Sequence, residues 1–149
     1  MMHLKTVRSD KFPFTPDEFW ERIQRVGDFQ LWWPWLKHFD GHRLVPGDVW
    51  ACVVQPPVPY TVRFTVTLDQ IIGGRMVTAR ISGDISGTAT LTVTAAANGC
   101  HTTLVSDLAP DKQSLRVMSI AARPVVRFGH NWVLDAGVRQ FTAKSGQRL

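Results

Sequence analysis

The stretch DKQSLRVMSIAARPVVRFGHNWVLDAGVRQFTAK, residues 111–144, decides the fold. Asp111 follows a proline and is a helix-capping residue type, so we expect its side chain to cap the amide of Gln113 or Ser114. Beyond Pro124, which interrupts the pattern, apolar residues recur at helical spacing. One face is predicted to hold Val126, Val133, Gly137 and Phe141, with His130, Leu134 and Ala136 close beside it. The stretch therefore predicts a single long helix.

Two glycines, Gly129 and Gly137, lie inside this predicted helix. A glycine inside a helix costs about 0.5–1 kcal/mol relative to alanine, so each of them needs a structural reason. The reason we expect is a close approach of the helix to a sheet, or to a molecule held between the helix and the sheet.

Two short helices are predicted near the beginning of the chain. Thr15 and Glu18 form a capping box, and Pro16 occupies the first helical position between them. Asp28 is expected to cap a second short helix over residues 29–33, which lies in an unusually aromatic segment.

Upstream of the long helix, most of the chain is predicted to form strands. Gly73-Gly74 and Asn98-Gly99 are hairpin signals, and hairpins join antiparallel strands. The predicted strands span residues 4–12, 41–45, 49–55, 60–72, 75–82, 84–95 and 100–108.

Two of these strands alternate clearly between apolar and threonine-rich faces. The apolar faces hold Tyr60, Val62, Phe64, Val66 and Leu68 in one strand, and Ile85, Ala89, Leu91 and Val93 in the other. The threonine-rich side of such a sheet meets water, so the apolar side must be covered. The terminal helix is the only predicted element long enough to cover it. A curved sheet around one helix leaves room for an apolar pocket between them.

Four short segments resemble a known family. They are residues 14–20 (FTPDEFW), 32–35 (WWPW), 82–87 (SGDISG) and 129–137, which contains GHNWV and DAG. On these segments and the order of elements, the chain is similar to the START-like (SRPBCC, helix-grip) superfamily and, within it, to bacterial polyketide cyclase/dehydrase-type proteins.

The resemblance implies an α+β helix-grip fold in a single domain over residues 1–149. A curved antiparallel sheet of about seven strands would surround the C-terminal helix, with two short helices after the first strand. It also implies a hydrophobic cavity between sheet and helix. It implies no particular reaction, since function taken from a fold is only an analogy.

Few residues are candidates for chemistry. His130 lies near the apolar face of the long helix and could act as an acid, a base or a hydrogen-bond donor. The alternative is a histidine satisfied by a backbone carbonyl or by Asp135, which lies on a different face. Tyr60, the only tyrosine, could reach a pocket mouth or be an ordinary rim or core residue. We predict His130 and Tyr60 as the catalytic candidates.

Arg80 has two mutually exclusive placements. If Val77, Ala79 and Ile81 face inward, Arg80 faces water, and this is the placement we favour. If Met76 and Thr78 face inward instead, Arg80 enters the cavity, where it could bind a carboxylate or an enolate. The predicted ligand-binding residues are Trp32, Trp33, Trp35, Trp50, Tyr60, Phe64, Arg80, Leu91, His130, Val133, Leu134 and Gly137.

Composition narrows the function classes. The 149 residues carry 17 basic and 12 acidic side chains, a net charge of +5, and from Lys112 onward the only acid is Asp135. The basic excess suits an anionic ligand or an acidic membrane surface, although the solvated face of the helix is the simpler interpretation. No nucleic-acid motif accompanies it, so that partner is not expected. No apolar run approaches the roughly 20 residues that span a bilayer.

The chain has two cysteines, Cys52 and Cys100, too few for a disulfide scaffold and without metal-ligand spacing. We predict that both are reduced, buried thiols in a cytoplasmic protein without a signal peptide. The five histidines are scattered, so no metal site and no cofactor are predicted.

Three functional hypotheses follow. The favoured one is binding of a hydrophobic small molecule, aromatic and polyketide-like or lipidic, in the cavity. The second is a cyclase/aromatase-type enzyme in which cavity acids and bases assist enolisation and loss of water. The third is a quinone or lipid chaperone whose basic helix makes peripheral contact with an acidic membrane. A monomer and a homodimer are both compatible with the sequence.

Overall fold

The computed structural model describes residues 4–58, 60–111 and 116–146. The elements are β1 Leu4–Phe12, α1 Pro16–Ile23, α2 Phe29–Trp32, β2 Leu36–Asp40, β3 Val49–Val54, β4 Val62–Ile72, β5 Met76–Gly83, β6 Ile85–Ala96, β7 Gly99–Pro110 and α3 Arg116–Lys144. A 3₁₀ turn, Val26–Asp28, joins the two short helices. The predicted order of one strand, two short helices, further strands and a long helix is confirmed.

The strands form one curled antiparallel sheet in the order β1-β7-β6-β5-β4-β3-β2. Consecutive strands from β2 to β7 pair as neighbours, as the hairpin signals predict. Gly74, in the turn between β4 and β5, has a φ of 76°, which favours glycine. The first strand closes the other side of the sheet by pairing with the last one, and Thr6 lies opposite Ser106 in that pair.

The capping box is present at α1. The Thr15 hydroxyl accepts from the backbone amide of Glu18 at 3.1 Å, and the Glu18 carboxylate accepts from the backbone amide of Thr15 at 3.1 Å. The predicted cap at α2 is wrong, since the Asp28 side chain makes no capping hydrogen bond there. Asp28 instead lies 3.7 Å from the guanidinium of Arg25, three residues earlier.

The predicted strand over residues 41–45 is also wrong, because the strand in this region is β2, Leu36–Asp40. The carboxylate of Asp48 accepts from the backbone amides of His42 and Arg43, at 3.1 and 3.0 Å. These bonds hold the backbone in a loop. Gly41 lies under the Trp50 ring, where a Cβ would meet Trp50 Cδ1 at 2.5 Å. These amides are thus hydrogen-bonded to a nearby carboxylate and not to a neighbouring strand.

The long helix α3 is continuous through Pro124. The predicted capping of Gln113 or Ser114 by Asp111 lies outside the described residues. Trp33 and Trp35 tie the helix to the segment before β2: Trp33 Nε1 donates to the carbonyl oxygen of Gly137 at 3.0 Å, and Trp35 Nε1 donates to Gln140 Oε1 at 2.8 Å.

One end of the space between sheet and helix is filled by aromatic side chains. The Phe141 ring lies 5.7 Å from that of Phe12, 5.3 Å from that of Phe19 and 5.3 Å from that of Trp32, all in edge-on arrangements. Such pairs contribute about 0.5–1.5 kcal/mol each beyond area burial. This packed cluster anchors the last turns of α3 to β1, α1 and α2.

Candidate ligand cavity

A cavity of about 450 Å³ lies between the sheet and α3, beyond the aromatic cluster. Its walls are the inward faces of all seven strands, side chains from the region of the two short helices, and one face of α3. The side chains on that helix face include Val126, His130, Val133 and Leu134. The volume lies within the range of roughly 300–1,000 Å³ that is usual for small-molecule pockets.

A row of small side chains explains why this space is not filled. Ala79 on β5 lies opposite Ala89 on β6, Ala89 lies opposite Ser106 on β7, and Ser106 lies opposite Thr6 on β1. Directly opposed residues share one face of a sheet. Four neighbouring strands therefore each place a short side chain on the inner face at the same level, which leaves space between this part of the sheet and the helix.

Most of the predicted ligand-binding residues come together in the walls of this cavity. They are Trp33, Trp35, Trp50, Tyr60, Phe64, Leu91, His130, Val133 and Leu134. Alternation predicts the positions of Tyr60, Phe64 and Leu91, and helical spacing predicts those of His130, Val133 and Leu134. Binding of a ligand by them stays a prediction.

Three predicted ligand-binding residues lie elsewhere. Trp32 is 3% exposed and packs in the aromatic cluster against Phe141, because α2 turns it away from the cavity. Gly137 is not part of the cavity wall and instead contacts the Trp35 ring. Arg80 is on the outer face of β5, where its guanidinium pairs with Asp69 at 3.0 Å.

The placement of Arg80 follows from the register of β5. Ala79 and Ile81 line the cavity, so the residue between them must point to the opposite face. The Arg80 side chain is 66% exposed. The solvent-facing placement favoured from the sequence is the one observed, and the cavity-facing alternative is wrong.

His130 is half-buried in the cavity wall, and its Nε2 is hydrogen-bonded to the Thr6 hydroxyl at 3.0 Å. Neither of the two satisfying partners considered for it, a backbone carbonyl or Asp135, makes this bond. Burial lowers the pKa of His130, and the nearby positive charges of Arg127 and Arg8 lower it further. The ring is therefore held in its neutral form at neutral pH.

Asp135 belongs to a different interaction. Arg8 on β1 donates to Asp135 at 3.0 Å and to both carboxylate oxygens of Asp10, at 2.9 and 3.0 Å. The hydrogen bonds to Asp10, the strongest influence, and to Asp135 raise the pKa of Arg8. This bridge fixes α3 against β1 close to His130.

Tyr60 lies in the wall where the helix comes nearest to the segment before β4. Its hydroxyl oxygen lies 2.7 Å from the position that a Cβ at Gly129 would occupy. Gly129 is thus the glycine for which close approach is the reason. Burial raises the pKa of Tyr60, so its hydroxyl stays protonated at neutral pH.

The cavity walls carry very little charge. None of the described residues that line the cavity is a lysine, arginine, aspartate or glutamate. Cys52 contributes a buried thiol, and burial raises its pKa to about 12. Both cysteines are free and buried, as predicted.

Two polar residues of the site, Thr6 and Ser106, are not among the residues predicted from the sequence. Ser106 lines the cavity, and Thr6 holds His130. Alternation within β1 and β7 would have placed each on an inner face. No local signal pairs residues 6 and 130, because they meet only once the first strand has joined the last.

Among the described residues, no helix is long and apolar enough to cross a membrane. The same residues contain no group of three or more histidine, cysteine, aspartate or glutamate side chains suited to hold a metal ion.

No family model matches this chain, and no curated protein matches it significantly. Solved structures match it in fold. The Zhui aromatase/cyclase from Streptomyces sp. R1128 is similar with a TM-score of 0.77, over 99% of this chain and 96% of that one, at 10% identity. The di-domain aromatase/cyclase StfQ of the steffimycin biosynthetic pathway gives a TM-score of 0.72, over 97% of this chain and 51% of that one, at 11% identity.

A plant enzyme has the same architecture. Norcoclaurine synthase from Thalictrum flavum, solved in complex with dopamine and hydroxybenzaldehyde, gives a TM-score of 0.66 over 95% of this chain and 86% of that one, at 8% identity. Identities this low show the fold alone. The chain therefore has the START-like helix-grip fold that the sequence resemblance implied, and its solved neighbours include two aromatase/cyclases.

Proposed function

We propose that this protein binds a hydrophobic small molecule, aromatic and polyketide-like or lipidic, between the sheet and α3. The observation that carries the proposal is a cavity of about 450 Å³ with almost wholly apolar walls. Each 100 Å² of apolar ligand surface removed from water contributes roughly 2.5 kcal/mol before the costs of association.

The aromatic residues in the wall suit a flat ligand. The rings of Trp33 and Trp35 are stacked, with centroids 5.6 Å apart and planes 25° apart. Their indole nitrogens are engaged with α3, so the ring positions are fixed before a ligand arrives. A preorganised wall reduces the entropy lost on binding.

Native mass spectrometry of the freshly purified protein tests the proposal, together with titration of the neutral apolar dye Nile red. We expect a co-purified molecule or saturable 1:1 dye binding that other flat or long-chain apolar molecules displace. No adduct, no saturable dye binding and no thermal shift across a broad set of apolar molecules would contradict it.

A second candidate function is a cyclase/aromatase-type reaction, and the placement of His130 favours it. A neutral imidazole in an apolar wall, oriented by Thr6, suits proton transfer to or from a bound ketone. The titratable side chains of the described cavity wall are few, namely His130, Tyr60 and Cys52. Binding is therefore the simpler function, because it requires no titratable group, whereas catalysis requires a set of them. Turnover of a poly-β-ketone analogue by the wild type, lost in His130→Ala and reduced in Tyr60→Phe, would support the enzyme. Equal rates in all three proteins would exclude it.

A further inference from the structure

One hydroxyl in the cavity wall lacks a hydrogen-bond partner within the part of the chain that the structure describes. It belongs to Ser106, which is 5% exposed and whose Oγ is buried without a partner. Ser106 also lines the cavity. Buried polar groups in folded proteins are almost always hydrogen-bonded, so an unpartnered hydroxyl on a residue of the cavity wall is suited to a partner from outside the chain, which a rotation of the serine side chain towards the cavity would bring within reach.

The neighbours of Ser106 show what surrounds that hydroxyl. Thr6 on β1 lies directly opposite it, with the side chains of such a pair about 5 Å apart on the same face. The Thr6 hydroxyl is already hydrogen-bonded to His130. On the other side, the register pairs Ser106 with Ala89, which offers no polar group. The Ser106 hydroxyl thus lies between the Thr6–His130 pair on one side and an apolar residue on the other.

The charge of the surroundings limits what can meet Ser106. No described residue of the cavity wall carries a formal charge, and a carboxylate buried there would lose its hydration without compensation. Lys5, next to Thr6 on β1, points to the outer face, and the nearest cation on the face of Thr6 is Arg8, which is already paired with Asp10 and Asp135. Arg127, the other cation whose charge acts on His130, lies exposed on α3 and does not line the cavity. An anionic ligand group therefore finds no counter-charge in the described cavity wall.

Resting on the ligand cavity proposed above, we infer that Ser106 is its polar anchor, and that the ligand is a neutral molecule presenting a carbonyl or hydroxyl oxygen to Ser106 from an otherwise apolar frame. The serine hydroxyl donates to a ligand carbonyl, or exchanges a hydrogen bond with a ligand hydroxyl. Fatty acids and other carboxylates are disfavoured.

Four probes that share one carbon skeleton distinguish the effects of an apolar frame, a neutral oxygen and a carboxylate on binding. They are fluorene, 9-fluorenone, 9-fluorenol and fluorene-9-carboxylate. Their affinities are measured by quenching of tryptophan fluorescence, since Trp33 and Trp35 lie in the wall. We expect 9-fluorenone or 9-fluorenol to bind about fivefold or more tightly than fluorene, the gain of one hydrogen bond. We expect the carboxylate to bind more weakly than fluorene.

Ser106→Ala is the decisive variant, with Ser86→Ala on the exposed face of β6 as the matched control. Ser106→Ala should bind fluorene within twofold of the wild type and lose the preference for the oxygenated probe, whereas Ser86→Ala should keep it. Removing an unpartnered hydroxyl should leave the unliganded protein at least as stable, so loss of folding does not obscure the result.

The outcomes distinguish this inference from the proposal beneath it. Saturable binding of fluorene without a preference for oxygen, or a preference that persists in Ser106→Ala, overturns the role of Ser106 and leaves the cavity proposal standing. Tightest binding of the carboxylate overturns the neutral-ligand assignment. Failure of all four probes and of Nile red overturns both.

Discussion

The Tyr60 hydroxyl occupies the space in which a side chain at Gly129 would begin, 2.7 Å from the Cβ position. The second contact there is Pro56 Cγ at 3.2 Å. Helix α3 therefore approaches the segment before β4 so closely that an alanine at residue 129 would have to displace the tyrosine hydroxyl. Tyr60, Pro56 and Gly129 all line the cavity, so a shift of the helix at this contact would change the shape of the cavity.

Gly129→Ala and Gly137→Ala should have opposite effects on stability. At Gly137 the nearest atom, Trp35 Cζ2, is 3.5 Å from the Cβ position, so alanine fits and should raise the free energy of unfolding by up to about 1 kcal/mol. At Gly129 overpacking should outweigh that gain and cost roughly 1–3 kcal/mol. Urea unfolding of both variants measures the difference. Equal stabilisation by the two substitutions would contradict the close approach.

Combining Gly129→Ala with Tyr60→Phe locates the clash. Tyr60→Phe removes the oxygen that a Cβ at residue 129 meets first, so the double variant should lose less free energy of unfolding than the two single variants added together. Additive losses would mean that the helix adjusts elsewhere and that the tyrosine hydroxyl does not limit its approach.

The half-buried imidazole of His130 predicts a specific loss of stability in mild acid. Its folded-state pKa is lowered, chiefly by burial and then by Arg127 and Arg8. In the unfolded chain the pKa is about 6.5, so below that pH the unfolded state binds a proton that the folded state does not. The free energy of unfolding should therefore fall as the pH decreases from about 6.5 towards the folded-state pKa.

Urea unfolding at several pH values between 5 and 8 tests this, with His130→Gln and His38→Gln as variants. His38 is an exposed residue on β2, and its replacement should leave the pH dependence as in the wild type. His130→Gln should flatten it. An unchanged pH dependence in His130→Gln would show that the imidazole is not held neutral by the fold.

Arg80→Ala should leave ligand binding unchanged. The guanidinium pairs with Asp69 on the outer face of the sheet, and exposed ion pairs contribute only about 0–1 kcal/mol. We expect affinities for fluorene and 9-fluorenone within twofold of the wild type, and a free energy of unfolding lowered by no more than that amount. A large loss of affinity would place Arg80 in the site after all.

Local patterns were enough to predict much of the fold. The capping box of Thr15 and Glu18 marks the start of α1, and alternation from Tyr60 to Leu68 identifies the inward face of β4. Helical spacing likewise brings His130, Val133 and Leu134 to the cavity wall. Each of these signals depends on residues within about eight positions of one another, which is why sequence periodicity reveals them.

What could not be predicted depends on partners distant in sequence or on competition for the same backbone. Thr6 and His130 are 124 positions apart and meet only because β1 pairs with β7. Trp32 resembles its tryptophan neighbours, yet the direction of α2 sends it into the aromatic cluster. The sequence predicts a strand where the loop after β2 lies, because hydrogen bonds from two backbone amides to the Asp48 carboxylate do not change the pattern of apolar and polar residues.

The central claim is that the space between the sheet and α3 is hollow and takes up an apolar ligand. Ala89 lies in the small-residue row of the cavity floor, and Thr88 is its exposed neighbour on the opposite face of β6. Ala89→Leu adds three carbon atoms to the cavity, and Thr88→Leu places the same side chain outside it. The most direct measurement is a titration of fluorene against both variants and the wild type. We predict at least a tenfold loss of affinity in Ala89→Leu alone, and equal affinities in all three proteins would contradict the account.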